Sequence, residues 1–163
     1  YRASPEIAQV ISGWTFGNLQ RSSWISASVS AFTWTAAMLI SLTYAWKLTA
    51  FADGAERANG LGINTNRLRM FVFTVSSVLV SAAVAFIGTV AFVGLIAPHC
   101  TKMILGDDQR FLIISSSIMG SILMLAASVI SKLLSEGATL PVGIVTSVIG
   151  VPFLFFLLMR SKE

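Results

Sequence analysis

The stretch GTVAFVGLIAPHCTKMILGDDQR, residues Gly88 to Arg110, decides how this chain folds. It holds the end of an uncharged run, Met70 to Thr101, in which 32 consecutive residues include no Asp, Glu, Lys or Arg. A helix crossing the hydrocarbon core needs only about 20 residues. One helix cannot use up this run unless it lies very obliquely. Gly88, Gly94 and Pro98 offer breaks, and helix breakers at membrane depth are tolerated where protein surrounds them or a cavity needs them. The stretch therefore reads as the end of one span, a tight Gly-rich turn and a second span near Leu95 to Ile104. That second span is too short to cross about 30 Å of hydrocarbon alone, so protein must flank it.

Working outward, the composition agrees with a membrane chain. Hydrophobic residues make up 55% and charged residues 11%, against about 25% charged in soluble domains, and the mean hydropathy is +0.82. Four uncharged runs stand out: Ser22 to Trp46, Met70 to Thr101, Phe111 to Ser131 and Gly137 to Met159. Each is long enough for a span, and splitting the second gives five. The expectation is an all-α, polytopic membrane helix bundle with about five transmembrane helices, an outer amphipathic helix and a cytoplasmic coupling helix. Its parts are an outer helix over 4–17, spans over 22–46, 66–88, 95–105, 111–132 and 141–159, and a cytoplasmic loop over 47–65. The net charge of +4 fits a basic cytoplasmic face better than nucleic acid. No signal peptide is expected from the first residues, and with Tyr1 in place of Met the chain reads as a fragment.

Charge counting tests the turn. With five spans, Lys47, Arg57, Arg67, Arg69, Lys102, Arg110, Arg160 and Lys162 share one side and Arg2, Arg21 and Lys132 the other, 8 against 3. Treating 70–105 as one span gives 6 against 5 and no bias. The positive-inside rule favours the turn, with the C-terminus cytoplasmic.

Local signals fill in the rest. Ser4-Pro5-Glu6 is a helix start, and Ile7, Val10, Ile11 and Trp14 make one apolar stripe closed by Gly17. That helix either packs on the bundle or lies along the membrane surface. Asp53 with Glu56 reads as a capping box, Gly60 as a helix stop and Asn64 as the cap of the next span. Ser77, Ser81 and Ala85 form one small-residue row and Gly143, Ser147 and Gly150 another. Such rows either let helices approach closely or line a passage.

Chemistry-bearing residues are few. His99 lies within a span and is a functional suspect for that reason, yet it has no acidic neighbour for a proton relay or a metal site. A neutral His bonded to backbone is the simpler reading. Lys102 can snorkel to the surface, and Cys100 is alone, a small buried hydrophobe. There is no catalytic triad, HExxH, P-loop or intramembrane carboxylate pair, so no catalytic, cofactor or metal residue is expected.

The quoted stretch resembles the signature of the FecCD-type permeases, the membrane subunits of prokaryotic ABC importers for iron-siderophores, haem and cobalamin. LPVGIVTSVIGVPFLFFLLMR, from Leu140, resembles that family's last helix, and LGINTNRLR, from Leu61, its lead into the helix before the signature. The likeness covers the C-terminal half of such a permease. It implies an ATPase-coupling segment at Phe51, Asp53, Gly54, Glu56, Leu61 and Gly62, with Ala55-Glu56 where the family often has two adjacent acids. It implies docking of an extracytoplasmic substrate-binding protein near Lys132 and Glu136, with Ser128 where the family commonly has Asp. Gly88, Phe92, Gly94, Pro98, His99 and Gly106 would border the translocation path.

The function so implied is half of an importer permease in the prokaryotic cell membrane. It would pair with a second permease subunit, lie in membrane lipid, bind no nucleic acid or cofactor, and be driven by a separate ABC ATPase. An iron-siderophore is the favoured cargo over haem or cobalamin. The alternatives are a non-transporting membrane scaffold and, further off, an ion channel or ion-coupled carrier.

Overall fold

Seven helices account for the fold in the computed structural model, which describes residues 5–19, 22–134 and 140–160. They are α1 (Pro5–Phe16), α2 (Trp24–Ala52), α3 (Ala55–Gly60), α4 (Thr65–Ile87), α5 (Val93–Leu105), α6 (Gln109–Leu134) and α7 (Val142–Arg160). Three of them, α2, α4 and α6, are long and apolar enough to cross a membrane, while α5 and α7 are shorter apolar helices. The all-helical bundle expected from the sequence is what forms. Ser4, Arg21, Glu136 and the rest of the loop 135–139, Lys162 and Glu163 lie outside the described residues.

Caps explain several boundaries. The Ser26 amide donates to Ser23 Oγ (3.2 Å) and the Ser23 amide donates to Ser26 Oγ (2.8 Å), a reciprocal cap that opens α2. The Arg67 amide donates to Asn64 Oδ1 (3.0 Å) and opens α4. The Arg110 amide donates to Asp108 Oδ1 (3.0 Å) at the start of α6, and the Gln109 amide reaches Thr49 Oγ1 (3.3 Å), pinning that start to the end of α2.

The loop expected over 47–65 is mostly helical. Helix α2 runs on through Lys47 to Ala52, so Asp53 caps its C-terminus instead of opening the next helix. Gly54, at φ 128°, takes the N-cap of α3 and supplies no side-chain bond. The expected Asp53 and Glu56 box therefore does not form; Asp53 instead pairs with Arg57 at 3.7 Å. Gly60 is the last residue of α3, as expected, but it does not make the turn. The turn uses Gly62 at φ +77°, with the Gly62 amide on Asn59 O (2.9 Å) and the Ile63 amide on Ala58 O (3.0 Å). This is the two-bond helix ending that glycine permits. Ala58, Ile63 and Leu68 bury together beneath Tyr44, Leu48, Phe51 and Phe71.

The decisive stretch breaks at two points, and Gly94 is not one of them. Gly88 ends α4 at φ +85°, and Phe92, at φ +67°, caps α5. Gly94 sits inside the first turn of α5, which starts two residues before the expected 95. Between the breaks, residues 88–92 are not helical. They descend beside α7: the Gly143 Cβ position would lie 3.4 Å from Thr89 O, and that of Gly150 would lie 2.3 Å from Phe92 Cγ. Seven helical residues separate those glycines, about 10 Å. Non-helical and helical parts together cover about 30 Å, about the thickness of the hydrocarbon core.

Burial is light, and among the described residues no large side chain is fully enclosed. Outward on α6 stand Ile118, Ile122, Leu125, Val129 and Leu133, a face that suits acyl chains. On α4 the row Ser77, Ser81 and Ala85 is also exposed, with Ala85 near Trp14 of α1.

Candidate functional site

Where the chain turns at Gly88, three elements meet through backbone groups. The Thr89 amide donates to Trp14 O (3.1 Å), the Asn18 amide to Ile87 O (2.8 Å) and the Val142 amide to Gly17 O (3.2 Å). Thr89 Oγ1 also donates to Thr15 O. The end of α1 therefore supplies partners for backbone that leaves its helix at membrane depth, which lipid could not do. A side chain at Gly88 would bring Cβ within 2.5 Å of Trp14 O, and one at Gly143 within 2.2 Å of Phe16 O. Only glycine admits this crossing of main chains.

The row Gly143, Ser147, Gly150 is explained by the same crossing. It accommodates α1 and the descending segment, with Phe92 seated on Gly150, and Ser147 Oγ turns back to Gly143 O at 2.7 Å. Close packing, not a passage, accounts for this row. A bulky residue in the left-handed region, as Phe92 is, is rare and held only by its surroundings. Nothing in its local sequence signals that conformation, and Gly17 reads in the sequence merely as a stop. The partners that require both are distant in the chain.

Gly94 and Pro98 line a cavity of about 500 Å³ between α2, α4, α5 and α6, together with Trp34, Ser41, Ser76 and Ser117. Its walls carry hydroxyls but no charge. Ser117 Oγ donates to Ile114 O (2.7 Å) and the neighbouring Ser116 Oγ to Ile113 O (3.2 Å), so these hydroxyls are turned back onto their own helix. Such a lining can solvate a passing molecule but has no group to grip one. His99 is elsewhere, half-buried, with its ring edge-on to Phe153 at 6.1 Å between centroids. Gly106, at φ +82°, ends α5 at the far end, where Lys102 pairs with Asp107 at 2.6 Å. The six expected path residues thus fall into four places, not one site. Among the described residues no three His, Cys, Asp or Glu groups converge as a metal site.

The other expected residues occupy opposite ends. Phe51, Asp53, Gly54, Glu56, Leu61 and Gly62 gather around α3; Phe51 is half-buried in its core, whereas Asp53, Glu56, Leu61 and Gly62 are exposed. Lys132 is exposed in the last turn of α6, at the Gly88 end, next to Ser131, whose Oγ donates to Leu140 O (2.5 Å). Glu136 lies outside the described residues.

Comparison with known proteins adds the context. An ABC transporter permease protein of Methanocaldococcus jannaschii is 38% identical over 92% of this chain and 43% of its own length. The iron(3+)-hydroxamate import system permease of Bacillus subtilis is 32% identical over 97% and 41%. The hemin transport system permease of Yersinia pestis is 31% identical over 92% and 45%. The chain thus spans less than half the length of each. A solved metal-chelate type ABC transporter in an inward-facing conformation superposes with a TM-score of 0.87 at 28% identity, covering 97% of this chain and 51% of that one. The model of the FecCD transport family matches residues 1–160, and this multi-pass membrane chain belongs to that family.

Proposed function

We propose that the chain is half of the permease of an ABC importer, passing a metal chelate across a prokaryotic cell membrane. The observation that carries this reading is the superposition on a metal-chelate type transporter over nearly the whole chain. Relatives named for iron-hydroxamate and hemin import support an iron chelate as cargo. The uncharged, hydroxyl-bearing cavity beside Gly94 and Pro98 suits a path that binds its cargo weakly at each conformation.

The α3 end is cytoplasmic in this reading, as is the C-terminus, since the basic excess lies there. There α3 is held between two membrane helices by its own small core and exposes Glu56 and Leu61 to a separate ATPase. Lys132, at the opposite end, faces an extracytoplasmic binding protein. A second permease subunit completes the path.

The test is uptake of a labelled iron-hydroxamate into vesicles holding the complete permease, its ATPase and its binding protein. Glu56→Arg is expected to lower cargo-stimulated ATP hydrolysis about tenfold or more while leaving the permease in the membrane, a reversed charge at a contact costing a few kcal/mol. Unchanged coupling would remove Glu56 from the ATPase contact, and absent uptake by the unaltered assembly would refute the importer.

A further inference from the structure

At the α3 end a cavity of about 480 Å³ opens between the last turns of α2 and the start of α4. Its apolar side is formed by Tyr44, Leu68 and Phe71, and its rim carries Lys47, Arg67 and Asn64. Tyr44 stacks on Phe71 with ring centroids 4.4 Å apart, and Lys47 Nζ sits 5.0 Å above the Tyr44 ring. The aromatic floor is thereby fixed and the ammonium is held at its edge. Among the described residues neither Lys47 nor Arg67 is ion-paired; the two pairs formed are Arg57 with Asp53 and Lys102 with Asp107. Helix α4 has no acid in its first turn. Arg67 stands there instead, a cation placed against the positive end of the helix dipole. Two unmatched cations and a helix N-terminus converge on one cavity, at the depth where Trp46 and Tyr44 mark the membrane boundary.

From this we propose that the cavity holds the headgroup of an anionic phospholipid from the leaflet at the α3 end. The phosphate lies between Lys47 and Arg67, and an acyl chain runs down past Tyr44 and Phe71. Basic pockets between transmembrane helices at the cytoplasmic leaflet suit this chemistry. A neutral zwitterionic lipid would bring its own cation toward both rim cations and is disfavoured. The site needs only that the chain span a membrane; it does not depend on transport.

The complete permease, exchanged into detergent with either phosphatidylglycerol or phosphatidylcholine, is examined by native mass spectrometry. One phosphatidylglycerol retained per permease chain, at about tenfold preference over phosphatidylcholine, is expected from two cations at the surface. Lys47→Gln with Arg67→Gln should remove that preference. Lys47→Arg with Arg67→Lys should keep it, and so should Arg57→Gln, whose charge lies outside the cavity. Equal retention of the two lipids by the unaltered protein overturns the site and needs no variant to fold. So does undiminished retention in the neutral double variant, or displacement of the lipid by millimolar inorganic phosphate, which would make the occupant a free anion.

Discussion

Phe92 is the residue on which the break in the long uncharged run turns. Its φ of +67° carries a strain of about 1 to 2 kcal/mol for a residue with a Cβ, offset by the seat its ring finds on Gly150. The pair makes a specific prediction. Gly150→Ala would place a methyl group 2.3 Å from Phe92 Cγ, an overlap near the base of the side chain that no rotamer of Phe92 relieves cheaply. Overpacking of this kind costs about 1 to 3 kcal/mol, so the melting midpoint of the complete permease should fall by about 5 °C. In a Phe92→Gly background the same alanine meets no ring, and its cost should drop below about 0.5 kcal/mol, the strong non-additivity expected of residues in contact. Equal losses in both backgrounds would mean that the crossing of the descending segment and α7 is not held by this contact. The sequence marks Gly88 and Gly150 as conformationally special, whereas Phe92 is picked out only by the family resemblance and nothing there signals its conformation. A positive φ on an aromatic residue is imposed by neighbours far along the chain, and no local propensity encodes it.

At the level of elements, what could be read from sequence and what could not divide along the same line. The spans announce themselves through the length and purity of their uncharged runs, and Asn64 announces α4 by cap chemistry that is complete within four residues. The coupling segment is harder because its signals compete. Asp53 can open a helix or close one, and the six extra residues of α2 decide for closing. Gly60 and Gly62 both suit the turn, and the choice falls to Gly62 because only then does Ile63 turn inward onto Ala58 and Leu68. That ending fixes where α3 points. Gly62→Ala should cost about 1 kcal/mol from the positive φ, with Gly62→Asn milder. Hydrogen exchange at the Ile63 amide, bonded to Ala58 O, should speed up about fivefold while the α4 amides beyond Phe71 are unchanged. An Ile63 amide that exchanges at the unaltered rate in Gly62→Ala would show that the α3 core alone sets the ending.

Taken whole, the molecule is a thin bundle whose ends carry the chemistry and whose middle is nearly featureless. Its two small buried clusters lie at the ends, one around Ala58 and the other around Ala127, Val142 and Val145. Between them the helices present apolar surface outward, as a membrane chain must when lipid and further protein cover it. Under the five-span topology we propose, Lys and Arg divide 8 to 3 between the two sides, and the small number on the Gly88 side gives each of them weight. Lys132 is the described basic side chain there, exposed at the last turn of α6. An exposed cation steers a partner more than it holds one. Lys132→Glu should therefore slow association of the extracytoplasmic binding protein and weaken its affinity about tenfold at low salt, where the Debye length approaches 30 Å. The deficit should shrink to about twofold at 1 M salt, where that length is about 3 Å. A structural role for Lys132 would lower affinity equally at both salt concentrations. Affinity unchanged at low salt would instead move the docking surface away from α6 altogether.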